Sequence, residues 1–243
     1  MAETLCMPNL PQGRVRRVLI GEKYKSLKEP LLKLEIDSLL MPDIPEVDKR
    51  LSGHIDLAAL HIGKKIFLGG KAGECTAKPL ENFGFETELI PYIGEKYPND
   101  AILNACVING KIIHNRDISV LKNENNFIHV RQGYTKCNIC SVDKNAIITS
   151  DSRIALICNS AGFDVLKITP GYIMLPGFNT GFIGGCAFKI SPYNIAFTGS
   201  LAAHPDYDAI TDFLRNYNIK PIYLTDNPIF DIGSAILMHE EIS

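Results

Sequence analysis

The chain has 243 residues, with 25 lysines and arginines against 27 aspartates and glutamates, and 46% of its residues are apolar. This composition is ordinary for a globular protein, and the formal charge of −2 supplies no electrostatic footprint for nucleic acid or for an anionic membrane. No apolar run approaches the roughly 20 residues of a membrane span, and the first residues lack the apolar stretch of a signal peptide. We therefore expect a cytoplasmic protein that binds a small molecule or a protein partner.

Seven cysteines are scattered along the chain, an odd number that argues against a disulfide framework. We expect free thiols, most of them buried as small apolar side chains. Cys137 and Cys140 have the spacing of half a zinc site or of a redox pair, but no second CxxC or HxH pair accompanies them. We therefore predict neither a metal nor a cofactor.

The N-terminal part predicts a strand followed by an amphipathic segment. The run RVRRVLIGE, residues 14–22, is typical of a strand. Residues 24–40 then place Leu27, Leu31 and Leu34 on one side of the segment, with Leu39 as a less regular fourth member.

Four later segments share one pattern, in which a short run of small or polar residues leads through a turn into a β-branched strand. The three clearest are GHIDLAALHIGKKIFLGG (53–70), YTKCNICSVDKNAIITSD (134–151) and FIGGCAFKISPYNIAFTGS (182–200). A weaker copy covers residues 102–115, where Asn109-Gly110 predicts a tight hairpin turn. In the three clear copies an isoleucine lies ten positions after Asp56, Cys137 and Gly185, respectively. These three residues therefore occupy equivalent points of the repeat.

The C-terminal part predicts a helix, a strand and half a hairpin. The helix covers residues 204–217, because Ile210, Phe213 and Leu214 have helical spacing. Its HPD start indicates N-terminal capping rather than a catalytic motif. Residues 220–226 predict a buried strand, and residues 230–237 begin a hairpin whose second strand is missing.

We interpret the chain as one α/β domain, 1–243, because no flexible linker divides it. Its units of hairpin, helix and strand cover roughly 51–98, 99–132, 133–177, 178–227 and 228–243 together with 14–50. The strand at 14–22 would complete the last hairpin, close a ring of five units and remove an exposed sheet edge. The predicted fold is a five-bladed pseudo-symmetric α/β propeller.

The run Gly53-His54-Ile55-Asp56, followed by an apolar strand, resembles the GHxD strand of the guanidino-modifying enzymes. This pentein family contains agmatine and arginine deiminases, dimethylargininases and amidinotransferases, and its fold is a five-bladed α/β propeller. Residues 130–235, with the motifs QGYTKC, IITSD, GFIGG, HPD and DIGSA, also resemble an uncharacterised bacterial family grouped with this fold.

The resemblance implies a covalent cysteine, a histidine that acts as acid and base, and carboxylates that hold a cationic substrate. In those enzymes the histidine blade lies two blades before the cysteine blade and one blade after a carboxylate. Counted round the ring, these positions fall on His54, Cys137 and Asp231. The chain departs from the family, whose cysteine lies near the C-terminus, because its C-terminal unit has Ser234 and no cysteine. The catalytic set would therefore be rotated round the ring relative to the order of the chain.

The residue types suit these roles. If His54 and Asp56 lie on one strand, both side chains reach the same face, and the carboxylate would raise the pKa of the imidazole. A cation beside Cys137 would increase its thiolate fraction. We predict catalytic roles for Cys137, His54 and Asp56, with Cys140 as the alternative nucleophile. We predict substrate-binding roles for Asp231, Asn138, Gly184, Gly185 and Ser234.

We expect a hydrolase or transferase that acts on a guanidino or amidino compound, with a small cationic ligand and no nucleic-acid or membrane partner. A homo-oligomer stays open. The alternative is an inactive protein of the same fold that binds a small ligand or a protein. The candidates also have structural interpretations. Cys137 or Cys140 would be a buried small side chain, His54 and Asp56 a hydrogen-bonded pair at a strand end, Asp231 a turn carboxylate and Gly184-Gly185 a bulge.

Overall fold

The computed structural model of the protein describes residues 2–242, which form five small β-sheets connected by short helices and turns. The strands are β1 Glu3–Thr4, β2 Arg14–Gly21, β3 Asp37–Met41, β4 Ala59–Ile62, β5 Lys65–Gly69, β6 Glu86–Ile90, β7 Cys106–Ile108, β8 Lys111–His114, β9 Phe127–His129, β10 Cys140–Asp143, β11 Ala146–Thr149, β12 Asp164–Lys167, β13 Ala187–Ser191, β14 Asn194–Phe197, β15 Lys220–Tyr223 and β16 Ile236–Glu241. The α-helices are α1 Lys28–Lys33, α2 Gly70–Asn82, α3 Thr135–Asn138, α4 Ser152–Ser160 and α5 Tyr207–Asn216. Shorter 3-10 helices span Glu22–Leu27, Ile55–Leu57, Asn99–Ala101 and Ile183–Gly185. No helix within residues 2–242 is long and apolar enough to cross a membrane.

Four of the sheets have one construction, an antiparallel hairpin whose second strand pairs in parallel with a third strand. Their strand orders are β4-β5-β6, β7-β8-β9, β10-β11-β12 and β13-β14-β15. A helix makes the crossover to the third strand in three of them, through α2, α4 and α5. The second sheet departs from the predicted unit, because the described residues between β8 and β9 form only turns.

The turn between β7 and β8 confirms the hairpin prediction. Asn109 and Gly110 both have positive φ, 49° and 72°, which is the backbone of a type I′ turn. This turn matches the right-handed twist of the two strands and so sets their register.

The fifth sheet joins the two ends of the chain. Its order is β1-β16-β2-β3, with β2 antiparallel to β16 and parallel to β3. The strand predicted over residues 14–22 therefore supplies the missing half of the last hairpin, and α1 makes the crossover to β3. The predicted closure of the ring is confirmed.

The apolar core lies between neighbouring sheets rather than inside one sandwich. One cluster connects the fifth, first and second sheets through Leu19, Met41, Leu57, Phe67 and Val107. The others connect the second with the third sheet through Ile113 and Ile147, the third with the fourth through Ile148 and Phe197, and the fourth with the fifth through Phe188 and Leu237. Each sheet thus packs on two neighbours, as a five-unit ring requires.

Two predictions for the C-terminal part need correction. Helix α5 begins at Tyr207 because the HPD residues form the turn before it. Asp206 does not cap this helix, since its backbone is not extended and its carboxylate accepts from the amide of Thr169 instead. Strand β15 is only half buried, because it lies at the edge of its sheet.

Candidate functional site

Four titratable side chains lie close together near the centre of the ring. Each belongs to a segment that precedes the first strand of a hairpin. His54 and Asp56 lie in the helical turn before β4, Cys137 lies in α3 before β10, and Asp231 precedes β16. All four are almost fully buried. The prediction that His54 and Asp56 share a strand face is wrong, because a bond from the Leu57 amide to the His54 carbonyl closes a turn there.

The closest contact of the group joins residues 81 positions apart. The Cys137 thiol donates a hydrogen bond to Oδ2 of Asp56, with a sulfur-to-oxygen distance of 2.8 Å. One ligand atom each of His54, Asp56 and Cys137 lies within 4.8 Å of the other two. Nδ1 of His54 lies 3.8 Å from Oδ1 of Asp231, and Nε2 has no hydrogen-bond partner among the described residues. The imidazole is therefore held beside two carboxylates and a thiol.

Asp231 is fixed by backbone donors from both sides. The amide of Phe182 donates to Oδ2 and the amide of Gly233 donates to Oδ1, each at 2.9 Å. Gly185 makes room for this carboxylate, since a Cβ there would overlap Oδ1. A carboxylate offers about four lone-pair sites, so two backbone bonds leave Asp231 able to accept from a ligand as well.

Asn104 holds α3 in place and was not predicted from the sequence. Its side-chain nitrogen lies 3.3 Å from Sγ of Cys137 and donates to the Asp56 carbonyl. Its side-chain oxygen accepts from the amides of Lys136 and Cys137. The one available signal was its place as the polar residue just ahead of β7 in the weakest repeat.

Lys136 directly precedes Cys137 in the sequence, and no role was predicted for it. Its ammonium donates to the Ser234 hydroxyl at 2.6 Å. Both side chains line a small cavity of about 20 Å³ together with Asp56, room for about one water molecule. Asp56 therefore connects Cys137 to this small cavity.

A second cavity of about 140 Å³, the inner cavity, lies beside Cys137. Its apolar lining consists of Leu51, Leu57, Leu175, Phe178 and Phe182. Its polar lining consists of His54, Tyr134, Cys137, Thr180 and Asp231. One carboxylate, one imidazole and one thiol thus face a space that is otherwise mostly apolar.

The remaining predicted residues do not line the inner cavity. The Asn138 amide donates to the Tyr134 carbonyl within its own turn. Gly184 packs against the backbone of Lys136 and Ile139, where a Cβ would not fit. Gly185 contacts the Asp231 carboxylate, and the Ser234 hydroxyl accepts a hydrogen bond from Lys136. The substrate-binding roles of Asn138, Gly184, Gly185 and Ser234 stay predictions.

Cys140 occupies a different environment from Cys137. It is the first residue of β10 and packs in the cluster between the third and fourth sheets. Burial raises the pKa of its thiol to about 12. It does not line the inner cavity.

Burial dominates the ionisation of the site. It raises the pKa of the Asp56 carboxyl to about 7, a rise that the hydrogen bond from Cys137 partly opposes. Burial also raises the pKa of the Cys137 thiol well above its ordinary value, and the charges of Asp56 and Asp231 add to this rise. The pKa of His54 is lowered by burial, which outweighs the pull of Asp231. The prediction that a carboxylate raises the pKa of this imidazole is therefore wrong in net effect.

Asp56 makes stability depend on pH. Between about pH 4 and about pH 7 its carboxyl holds a proton in the folded protein and not in the unfolded chain, so the free energy of unfolding falls as pH rises. Above about pH 7 both states are ionised and the loss is complete, on the order of 4 kcal/mol. An Asp56→Asn variant should lack this slope and melt above the wild type at about pH 8. Thermal unfolding at about pH 5 and about pH 8 measures the difference.

Asp117→Asn is the matched control, because Asp117 is exposed. It should follow the wild-type stability at both pH values. If Asp56→Asn also follows it, Asp56 ionises near its ordinary pKa and the site carries more negative charge than the burial implies.

The imidazole, carboxylate and thiol of His54, Asp56 and Cys137 are also close enough to share one metal ion. A nitrogen, an oxygen and a sulfur ligand in this arrangement suit Zn²⁺. The predicted absence of a metal therefore stays a prediction.

A family model described as "Family of unknown function (DUF6873)" matches residues 19–236, which is most of the chain. No curated protein matches the sequence of this chain.

Several solved structures share the fold. SxtG, an amidinotransferase from Microseira wollei in the saxitoxin biosynthetic pathway, has a TM-score of 0.57 at 9% identity, covering 90% of this chain and 91% of that chain. A cysteine-to-serine variant of C. Jejuni agmatine deiminase with substrate bound has a TM-score of 0.57 at 12% identity, covering 99% and 97%. DDAH from Pseudomonas aeruginosa, complexed with citrulline, has a TM-score of 0.51 at 8% identity, covering 87% and 93%. At these identities the likeness shows the fold, and the chain has the pentein fold that the GHxD motif implied.

Proposed function

We propose that this chain, which belongs to the family of unknown function DUF6873, modifies a guanidino or amidino compound through a covalent bond to Cys137. The observation that carries the proposal is the convergence of His54, Asp56 and Cys137 within 4.8 Å, beside a cavity that Asp231 also lines. Guanidino-modifying enzymes of the same fold support the class of reaction.

A guanidinium ion suits the charge of the inner cavity. Asp231 is the carboxylate that lines it, and the described part of the chain places no lysine or arginine in the lining. The mostly apolar lining lowers the local dielectric constant, which strengthens the attraction between a cation and this carboxylate. A planar guanidinium can also donate two parallel hydrogen bonds to a carboxylate. Asp231 would therefore orient the ligand carbon toward Cys137.

The cation would also activate the nucleophile. Without ligand, burial and two neighbouring carboxylates keep the Cys137 thiol protonated. A positive charge placed beside Sγ favours the thiolate. Asp56 orients the sulfur through the hydrogen bond that it accepts from the thiol.

The first half of the reaction forms a carbon–sulfur bond and breaks a carbon–nitrogen bond. Sγ attacks the guanidinium carbon while the thiol proton passes to Nε2 of His54, which has no hydrogen-bond partner among residues 2–242. His54 then gives this proton to the leaving nitrogen, and the amine departs from a Cys137 thiouronium.

The second half restores the enzyme. In a hydrolase water attacks the thiouronium carbon, and in a transferase an acceptor amine does so. The attacking group loses a proton to His54, the carbon–sulfur bond breaks and His54 returns the proton to Sγ. The products are a ureido compound with ammonium or amine in the first case, and a new amidino compound in the second.

Labelling with 2-chloroacetamidine tests the proposal, because this cation carries an electrophilic carbon from which Sγ displaces chloride. We expect one saturable adduct at Cys137 on wild-type protein, located by intact mass and peptide mapping. Neutral 2-chloroacetamide is the matched reagent. The ratio of Cys137 to Cys75 labelling should be about tenfold higher with the cationic reagent, since only that reagent binds Asp231.

The exposed thiols of Cys6 and Cys75 are internal references in the same experiment. Equal site ratios with the two reagents, with adducts confined to Cys6 and Cys75, would show that the inner cavity neither binds the cation nor activates Cys137. That result would overturn the proposed chemistry.

One observation favours the alternative of a binding protein without catalysis. The Cys137 thiol is buried and donates to Asp56, so its resting state is unreactive. In this case guanidino compounds would bind at Asp231 without forming an adduct or a product.

Several finer assignments stay predictions. They are the choice between hydrolase and transferase, a single domain over 1–243, a cytoplasmic location, a homo-oligomer, and the absence of cofactor, nucleic-acid and membrane partners.

A further inference from the structure

A larger space, the outer cavity, adjoins the inner cavity and shares Asp231 with it. Its volume is about 600 Å³, and its lining includes Lys23, Lys49 and Arg50 as well as apolar side chains such as Phe230. Because Asp231 lines both cavities, a ligand held there by its head would extend its tail into the outer cavity.

Arg50, which lines the outer cavity, packs on Phe178, which lines the inner cavity. The Arg50 guanidinium stacks 4.2 Å from the centroid of the Phe178 ring and donates to the Gly177 carbonyl. Asp48 accepts from the same guanidinium through both carboxylate oxygens. The charge of Arg50 is therefore balanced by Asp48, and its role at this place is to hold Phe178.

Lys23 and Lys49 remain as the uncompensated charges of the outer cavity. Both are exposed. The Lys23 ammonium donates to the carbonyls of Lys49 and Arg50, which are neutral acceptors. Within residues 2–242 no carboxylate lies within 4 Å of either ammonium. The lining of the outer cavity thus contains the Asp231 carboxylate, which it shares with the inner cavity, and two exposed ammonium groups.

We infer that the ligand of this site is an ω-guanidino carboxylate, with its guanidinium at Asp231 and its carboxylate at Lys23 and Lys49. The inference rests on the proposed function and specifies its substrate class. A ligand with charges of opposite sign at its two ends meets opposite charges at both ends of the site. A guanidino amine would bring a second cation toward two ammonium groups, which costs binding free energy.

Three ligands with one head and different tails test the inference. They are 4-guanidinobutyrate, butylguanidine and agmatine, whose tails are anionic, neutral and cationic. We expect the dissociation constants to rise in that order, by about tenfold overall or more, in calorimetry with Cys137→Ser protein that prevents turnover. Adding Lys49→Glu should weaken 4-guanidinobutyrate by about tenfold and leave butylguanidine within about twofold.

Lys144→Glu is the matched control, because Lys144 is exposed in the turn between β10 and β11 and has the same charge change. It should leave all three dissociation constants unchanged. An effect as large as that of Lys49→Glu would show a general field effect and would overturn the assigned carboxylate position.

The failure of the inference and of the proposed function give different results. Equal binding of the three ligands, with butylguanidine weakened by Asp231→Asn, would overturn the carboxylate tail and leave the guanidinium site intact. Tighter binding of agmatine would do the same. No binding of any of the three would overturn both.

Discussion

Turnover of a guanidino substrate by a Cys137→Ser variant is expected to fall by about 10³-fold or more, because a hydroxyl gives up its proton to His54 far less readily than a thiol and is a much weaker nucleophile than a thiolate. The hydroxyl can still donate to Oδ2 of Asp56, as the thiol does at 2.8 Å. Binding should therefore change little, since the cation is held by Asp231. Steady-state rates give the first quantity and calorimetry gives the second.

Cys140→Ala is the control for this experiment, because it removes a buried thiol that lies outside the inner cavity. It should lower thermal stability through the space left in the core and leave turnover near the wild-type value. If Cys140→Ala abolishes turnover while Cys137→Ser keeps it, the nucleophile is misassigned. If wild-type protein binds guanidino compounds and neither it nor the two variants form a product, the protein binds its ligand without catalysis.

Deleting residues 1–22 is expected to abolish cooperative folding. The deletion removes β2, which lies between β16 and β3 in the sheet that closes the ring. It exposes the partners of Val15, Val18, Leu19 and Ile20, all fully buried. Each such side chain stabilises the fold by ~1.5–3 kcal/mol, so the four together match a typical total stability of ~5–15 kcal/mol. Far-ultraviolet circular dichroism with a thermal ramp measures the loss.

Deleting only residues 1–4 is the matched control. It removes β1, a two-residue edge strand paired with β16, and should lower the melting temperature by only a few degrees. A synthetic peptide of residues 5–22 added to the protein without residues 1–22 should restore a cooperative transition. An unchanged melting temperature after the long deletion would show that the ring does not depend on β2.

The ionisation of the site gives a physical reason for burying the proposed nucleophile. Cys137 is shielded and protonated in the absence of a cation, whereas Cys6 and Cys75 are exposed. Under the proposed function the substrate itself supplies the positive charge that the resting site lacks. Nonspecific electrophiles would then react first at the exposed thiols.

The sequence by itself determined the order of the units and the way in which the ring closes. Hairpin periodicity and turn residues such as Asn109-Gly110 are local features, because they record which side of a strand is buried and which backbone has positive φ. The unpaired last hairpin also predicted its partner at the other end of the chain. The GHxD motif identified His54, and the repeat interval aligned Asp56 with Cys137.

Only the tertiary structure decided what these residues touch. The bond between Cys137 and Asp56 spans 81 positions, and the bonds that seat Asp231 depend on Phe182 and on the space at Gly185. Burial lowers the pKa of His54, and the sequence alone does not show whether a residue in a turn is buried. The position of Asn104 and the pairing of Arg50 with Phe178 depend on how separate units pack in the ring. Local patterns determine the elements, whereas the chemistry of the site depends on distances between elements far apart in the chain.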